Sequence, residues 1–408
     1  MSYNFDHNRL SLTISISLSL SLSPSLLATG APARHFVIAL NVVNKDVRSS
    51  SLPHLSILLT ITQDVKARGH HLCLWQAECS VYTTDTLRLA ERLTKYSLIP
   101  HLYNNSSYRL RLAVNSSSSK DRLSKQYPNA EVVQVDLNEP PQVRDLVKDA
   151  NIFYHVGIRA SSSPAQRLTE LTCHTSSTGP AFHPHETQIG YHVIDACVAS
   201  SSISHFIYSS VLNTQLRKLL NHDCKRYVEE YLIESGLNYT ILQPTNFMDN
   251  MKLEMFLSQP EDDTIYHAPW NPDVAFSQIA LRDLGEAAAN VVKEGEKHYF
   301  AQYLLVSTRP TPYREVVKIV GQGIGRDIKV QQLPFEKAVE GFLKMLGGGK
   351  DVPWGTKDAA ERMLLYYNHH GLWGNPGVLE MLLGRKATSV GEWTEVQLKA
   401  WKESQKDA

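Results

Sequence analysis

The sequence has few cysteines, no excess of either charge and no long run of apolar residues. Its 408 residues include five cysteines, 41 basic and 41 acidic residues. An odd number of scattered cysteines without Cys-x-x-Cys spacing argues against a disulfide scaffold and against a zinc site, and it is typical of a reducing compartment. The charge balance provides no basic excess for nucleic acid.

The first 24 residues form a low-complexity segment in which leucine or isoleucine alternates with serine or threonine. No run of about 18 apolar residues occurs, so the sequence predicts no stable membrane insertion. Two interpretations stay open: a segment without fixed structure, or a signal peptide with a cleavage region near residues 26–31. We expect a cytoplasmic protein, with secretion as the alternative.

Strand-like and helix-like segments alternate regularly from residue 108. The patterns predict strands over 108–114, 130–135, 150–156, 205–208 and 239–242, and helices over 120–127, 141–148, 186–199 and 223–235. This alternation predicts βαβ units and an α/β fold with a doubly wound parallel sheet. A first strand is predicted at residues 25–28.

The composition predicts a division into residues 1–24, a domain over 25–250 and a smaller, mostly helical region over 251–408. Three stretches lack sustained periodicity and are predicted to be insertions: 41–62, 72–107 and 157–178. Connections in α/β units normally have about 2–6 residues. The stretch 157–178 is therefore either a lid over a site or an insertion that the fold does not need.

Ligands of parallel sheets lie beyond the carboxyl ends of the strands, so the residue after each strand is a candidate. Thr29 and Gly30 follow the first predicted strand, but a phosphate-binding turn needs several glycines. Asn115 follows the second strand, where Ser116 and Lys120 either hold a phosphate or lie on a solvated loop.

Asp136 and Leu137 follow the third predicted strand. A carboxylate at this place either borders a ligand or closes an Asx-turn at the strand end. The residue types do not decide between the two.

Ser209 and Ser210 follow the strand over 205–208, and Lys225 comes fifteen residues after Ser210 on the next helix. Such a serine and lysine can polarise a carbonyl and hold a ribose, but proton donation also needs a tyrosine one helical turn before the lysine. Asn221 stands at that position, and neither Tyr208 nor Tyr227 has the required spacing. The alternative is that Lys225 is a solvated helix charge.

A histidine-rich stretch, His183-Pro184-His185-Glu186, superficially looks like a metal site. The proline and the directly adjacent glutamate favour a helix N-terminus instead. Two further stretches fit capping boxes that begin helices, Asp283 with Glu286 and Ser389 with Glu392.

Four motifs together resemble NmrA-like proteins, which are atypical members of the short-chain dehydrogenase/reductase superfamily. They are TQIGYHVIDA over 187–196, HFIYSSV over 205–211, Lys225, and ILQPTNFMDN over 241–250. The resemblance covers about residues 108–400. It implies a Rossmann fold with a C-terminal substrate region, and binding of NADP or NAD with some preference for the phosphorylated form.

The resemblance also implies a role for each candidate residue. Gly30 would belong to the phosphate turn, Asp136 and Leu137 to the adenine pocket, Val156 with Gly157 or Gly179 to the pyrophosphate, Ser209 and Ser210 to the nicotinamide, Lys225 to its ribose, and Pro244, Asn246 and Phe247 to the substrate pocket.

Two departures from the family pattern bear on activity: the turn after Thr29 has a single glycine, and the tyrosine partner of Lys225 is missing. Three functions remain open. They are an oxidoreductase acting on a small carbonyl substrate, a cofactor-sensing regulator with a protein partner, and a defective chain that binds nothing. The departures favour the last two, whereas the intact motifs after residue 180 favour the first two.

Overall fold

The structure is a computed structural model that describes residues 35–39, 58–62, 70–75, 98–103, 105, 107–156, 184–345 and 354–406. It divides into two units, residues 1–68 and 69–408. In the first unit, β1 (His35–Ala39) pairs antiparallel with β2 (Leu58–Thr62). The end of the stretch 41–62 therefore forms a strand, although the sequence analysis assigned it to an insertion.

Seven parallel strands form the main sheet of the second unit, in the order β13-β8-β7-β6-β3-β4-β5. They are β3 (His70–Trp75), β4 (Tyr108–Val114), β5 (Glu131–Gln134), β6 (Ile152–Val156), β7 (His205–Ser209), β8 (Tyr239–Pro244) and β13 (Ala301–Leu305). With β3 counted as the first, this is the Rossmann order 3-2-1-4-5-6 extended by a seventh strand. The predicted α/β fold with a parallel sheet is confirmed.

Helices cover both faces of this sheet. They include α1 (Leu98–Tyr103), α2 (Ser117–Gln126), α3 (Pro140–Val147), α4 (Pro184–Ala199), α5 (Leu220–Glu234) and α7 (Leu281–Glu294). Alternate residues of a strand enter opposite cores. Ile207 packs with Leu242 and Leu284 on one face, whereas Phe206 packs with Val193 and Val228 on the other.

Strand β3 lies inside the sheet, where it pairs with β4 on one side and β6 on the other. Residues 72–75 and 98–103 therefore belong to the sheet and to a helix, whereas the sequence analysis assigned 72–107 to an insertion. A strand inside a parallel sheet needs no alternation of polar and apolar residues. This is why its pattern gave no strand signal.

A smaller region follows, with its own core. It contains the short strands β9 (Asn246–Phe247), β10 (Thr264–Ala268), β11 (Ala275–Phe276), β12 (Gln278–Ile279), β14 (Thr311–Pro312) and β15 (Ile328–Gln332), and the helices α6 (Leu253–Leu257), α8 (Tyr313–Ile324), α9 (Phe335–Met345), α10 (Trp354–His369), α11 (Gly377–Leu383) and α12 (Val390–Lys406). Its core includes Phe256, Phe276 and Leu364. Helix α7 and β13 return to the main sheet, beyond the predicted boundary at residue 250.

One of the two predicted capping boxes is present. At the start of α12, Ser389 N donates to Glu392 at 2.8 Å, and Glu392 N donates to Ser389 Oγ at 3.2 Å. The box at Asp283 is wrong, because α7 begins after Ala280 and Asp249 accepts from its first amide. Asp283 instead accepts hydrogen bonds from Ser307, Arg385 and Thr388.

Candidate functional site

The carboxyl ends of β6, β7 and β8 bring several of the predicted residues side by side. Val156 is in register with Ser209, and Ser209 with Leu242. The ladder continues past the strand end, where Ser210 N donates to Leu242 O at 2.7 Å. Pro244 ends β8 at the same edge of the sheet. The topology therefore gathers Val156, both serines and Pro244, as expected for parallel strands.

Ser209 and Ser210 lie on opposite faces of the sheet at its carboxyl edge, and both residues are buried. Ser209 interacts with the phenol of Tyr154, whose pKa burial raises to about 12 although the Ser209 hydrogen bond opposes the shift. Ser210 lies two residues beyond Tyr208, whose phenol is fully buried. Because strand residues alternate between faces, one site cannot use both hydroxyls from the same side.

Lys225 lies on α5 and forms an ion pair with Glu186 in the first turn of α4. Glu186 is 5% exposed, so the interpretation of Lys225 as a solvated helix charge is wrong. The helix N-terminus predicted at Pro184 is present. Sequence reasoning missed Glu186 as a site residue, and its only signal was an acidic side chain where a helix begins.

The first turn of α4 contacts α5 through more than this ion pair. Thr187 Oγ1 donates to the carbonyl of Cys224 at 3.1 Å. The Cys224 thiol lies 3.7 Å from Glu186 Oε2. Burial, followed by the negative charge of Glu186, raises the pKa of this thiol, so Cys224 is a neutral neighbour rather than a nucleophile.

Tyr208 does not replace the missing tyrosine. Its side chain is fully buried, and burial together with the charge of Glu186 raises the pKa of the phenol well above its ordinary value. Asn221 occupies the position one turn before Lys225 on α5 and supplies an amide, which is no proton donor of comparable acidity. Among the residues described, no tyrosine therefore stands in the usual acid position.

Two buried histidines lie near Lys225, and both are neutral. Burial, followed by the positive charge of Lys225, lowers the pKa of His155 to about 3. Burial also lowers the pKa of His222 to about 4, and its Nδ1 donates to the carbonyl of Asn213 at 3.3 Å. The ring of His155 stacks on that of Tyr208, with centroids 5.5 Å apart.

The residues predicted near the adenine lie at the ends of β4 and β5. Asn115 is exposed, and Ser116 caps α2 by accepting from Ser119 N at 3.2 Å. Asp136 Oδ1 accepts from Asn138 N at 2.9 Å, which forms the Asx-turn that was one of the two alternatives. Leu137 packs into the core beside α3.

Four of the predicted residues, Thr29, Gly30, Gly157 and Gly179, lie outside the described residues. Residues 76–97, which connect strand β3 to α1, contain no glycine. A phosphate-binding turn at this place depends on glycines for the close approach of the backbone. The chain therefore lacks that sequence feature where the fold would use it.

Asn246 and Phe247, predicted to border the substrate pocket, form the short strand β9. They pair in parallel with Gln278 and Ile279 of β12, and both are half-buried. This pairing ties the end of β8 to the C-terminal region.

Within the described ranges, no group of three or more His, Cys, Asp or Glu side chains is placed to hold a metal ion. The helices described there also include none that is long and apolar enough to cross a bilayer.

Comparison with known proteins agrees with this topology. The profile of the NmrA-like family matches residues 96–398. No curated protein sequence matches the chain. The chain therefore belongs to the NmrA-like family, on a match that spans most of its length.

Solved structures with the same fold include both enzymes and a regulator. The triphenylmethane reductase of Citrobacter sp., solved with NADP(H), has 15% identity and a TM-score of 0.57, covering 80% of this chain and 99% of that one. The NADPH-dependent quinone oxidoreductase of Escherichia coli, solved with NADPH, has 18% identity and a TM-score of 0.53, with coverage of 80% and 99%. The negative transcriptional regulator NmrA, solved with NAD, has 16% identity and a TM-score of 0.57, with coverage of 83% and 98%. At these identities the similarity shows the fold.

Proposed function

We propose that this chain binds a nicotinamide dinucleotide, NADP or NAD, along the carboxyl edge of its seven-stranded sheet. The observation that carries the proposal is the Glu186–Lys225 ion pair, which joins the first turn of α4, the helix after β6, to α5, the helix after β7. In sheets of this strand order, ligands bind at the carboxyl edge near the point where the strand order reverses. The related structures solved with NADP(H), NADPH and NAD support the same ligand class.

The described residues at the carboxyl edge of the sheet fit the nicotinamide half of a dinucleotide. The Lys225 ammonium supplies donors for ribose hydroxyls, and Ser209 or Ser210 supplies a hydroxyl near the nicotinamide. The bound dinucleotide would supply hydride chemistry, while these side chains would orient it. The phosphate half does not fit, since residues 76–97 have no glycine. We therefore propose weak binding, anchored from the nicotinamide side.

We favour cofactor sensing without turnover over a conventional reductase. The reason is the lack of a tyrosine acid: Asn221 takes its position, and Tyr208 is buried with a raised pKa. Such a sensor would signal through a protein partner. The second candidate is an oxidoreductase acting on a small carbonyl substrate, in which Ser210 or a water polarises the carbonyl. The reductases among the related structures favour it.

Cys197 and Cys224 are free thiols, which suits the reducing cytoplasm as the location.

Titration calorimetry of the full chain with NADP and with NAD tests the binding. Lys225→Ala should weaken binding by about 1–3 kcal/mol, the range for losing a charged hydrogen bond. The matched control is Lys399→Ala, because Lys399 is an exposed lysine on α12. Thermal unfolding of each variant shows whether it is folded. Equal affinity of a folded Lys225→Ala variant would contradict the proposal.

A turnover assay on the same samples separates the two functions. The loss of NADPH absorbance is followed with a panel of small carbonyls and quinones. Binding without consumption of NADPH supports the sensor, whereas consumption above the rate without protein supports the oxidoreductase. A chain that binds neither dinucleotide would be the defective protein of the third interpretation.

A further inference from the structure

We propose that Glu186 is a positioning residue that holds the Lys225 ammonium where a bound ribose needs it. This inference rests on the proposed function, in which Lys225 contacts the dinucleotide. Glu186 would not touch the ligand and would act through Lys225.

Burial makes the two side chains dependent on each other. The side chain of Glu186 is 6% exposed and that of Lys225 is 18% exposed. A carboxylate withdrawn from water to this extent needs a counter-charge, and removal of one partner leaves the other buried and unpaired. Glu186 therefore requires Lys225 to stay at the pair, whereas the Lys225 side chain is not fully withdrawn from the surface.

Lysine by itself is a poor positioning device. Its ammonium sits on a flexible four-carbon stem, and fixing that stem costs rotamer entropy. An ammonium has three donors, so a lysine can in general pair with a carboxylate and also contact a ribose hydroxyl. A partner that orders the stem before the ligand arrives removes part of that entropy cost from the binding step.

Glu186 is suited to this task because its own backbone is anchored against α5. Thr187, the next residue, donates to the Cys224 carbonyl, the residue before Lys225. One turn further along α4, Gly190 packs against Val228, less than one turn after Lys225 on α5. Contacts on either side of the ion pair thus join the same two helices.

The rival role is a structural staple that joins α4 to α5 and has no bearing on the ligand. The chain offers a matched control in Glu229, a second buried carboxylate on α5. Glu229 accepts from Thr214 Oγ1 and from Gln243 Nε2, each at 2.8 Å. Its replacement by glutamine also removes a buried charge, and among the described residues its hydrogen bonds are with Thr214 and Gln243 rather than with a lysine.

A double-mutant cycle on the full chain tests the inference. The variants are Glu186→Gln, Lys225→Met, the double variant and Glu229→Gln, each measured by calorimetry with NADP and by thermal unfolding. We expect Glu186→Gln to weaken NADP binding about tenfold in the presence of Lys225 and not to weaken it further in the Lys225→Met background. Glu229→Gln should lower Tm without changing the affinity.

The outcomes separate the inference from the function on which it rests. Wild-type affinity in Glu186→Gln, or the same loss with and without Lys225, overturns the positioning role while dinucleotide binding stands. Absence of NADP and NAD binding by the unmodified chain overturns both. Lys225→Met can unfold because it strands the buried Glu186, and then the comparison of Glu186→Gln with Glu229→Gln decides: equal affinity losses overturn the inference, and a loss confined to Glu186→Gln supports it.

Discussion

Gly190 of α4 lies against Val228 of α5 with no space for a Cβ between them. A Cβ on residue 190 would stand 2.5 Å from Val228 Cγ2 and 2.8 Å from Cγ1. The same face of α4 carries Glu186 one turn earlier. The close contact of the two helices is therefore part of what brings Glu186 to Lys225.

Gly190→Ala should destabilise the fold by about 1–3 kcal/mol, because an added methyl group overpacks the contact between the helices. Urea unfolding measures the loss. Val228→Ala in the same chain should recover part of it by making room.

The control is Gly341→Ala, since a Cβ at this helical position meets nothing within 4 Å. The free energy of unfolding of this variant should rise by about 0.5–1 kcal/mol, because alanine has the higher helix propensity. A Gly190→Ala variant as stable as the parent chain would show that the helices separate at no cost.

Acid should destabilise the protein through three buried histidines. Burial lowers the pKa of His155 to about 3 and of His205 and His222 to about 4, from an ordinary value of 6.5. As the pH falls below 6.5 the unfolded chain takes up protons that the fold does not. The contribution of these neutral histidines to the free energy of unfolding is therefore fully present above pH 6.5. It is lost as the pH falls towards 4, by up to about 1.4 kcal/mol per pH unit for each histidine.

Urea unfolding at several pH values between 4 and 7 measures this slope. His155→Phe, which keeps an aromatic ring but cannot be protonated, should make the slope shallower. A variant at an exposed histidine, His267→Gln, serves as the control. Identical slopes in the His155 variant and the parent chain would refute the assignment.

Dinucleotide affinity should be weak, with a dissociation constant in the high micromolar range or above, roughly −5 kcal/mol in binding free energy. The reason is the glycine-free connection over 76–97 between β3 and α1. Replacing it by a Gly-x-Gly-x-x-Gly turn between Trp75 and Leu98 should tighten binding, whereas glycines at Ala33 and Arg34 should not. Calorimetry on the unmodified chain and on the two glycine variants measures the affinities. Sub-micromolar binding by the unmodified chain would contradict the prediction of weak affinity.

Deletion of residues 157–178 should leave a folded protein. The deletion joins Val156, the last residue of β6, to Gly179-Pro180, five residues before α4 begins at Pro184. This length is typical of α/β connections, and the shorter loop is slightly favoured by closure entropy. The removed stretch has five serines, four threonines and no hydrophobic period, which fits sequence retained from unspliced message better than a lid.

The deletion variant should match or exceed the full chain in thermal stability and in dinucleotide affinity. Both quantities are measured against the full chain in the same buffer. Aggregation, or loss of an activity that the full chain has, would instead identify residues 157–178 as a functional lid.

The sequence by itself determined the alternation of strands and helices from residue 108 and the positions of Ser209, Ser210 and Lys225 relative to them. These features are local: a period of two or of 3.6 residues, and short distances from a strand end, are written in neighbouring residues. For the same reason the capping box at Ser389 was predictable, since its two residues are three positions apart.

Only the tertiary structure decided that β3 lies inside the sheet, between β4 and β6, and which distant residues meet. Strand β3 was hidden because a strand inside a parallel sheet need not alternate polar and apolar residues. Glu186 and Lys225 are 39 residues apart, and Asp283 meets Thr388 across 105 residues. The first pair forms because α4 packs beside α5, and the second because the loop before α12 meets α7; such packing is a property of the whole fold rather than of either segment.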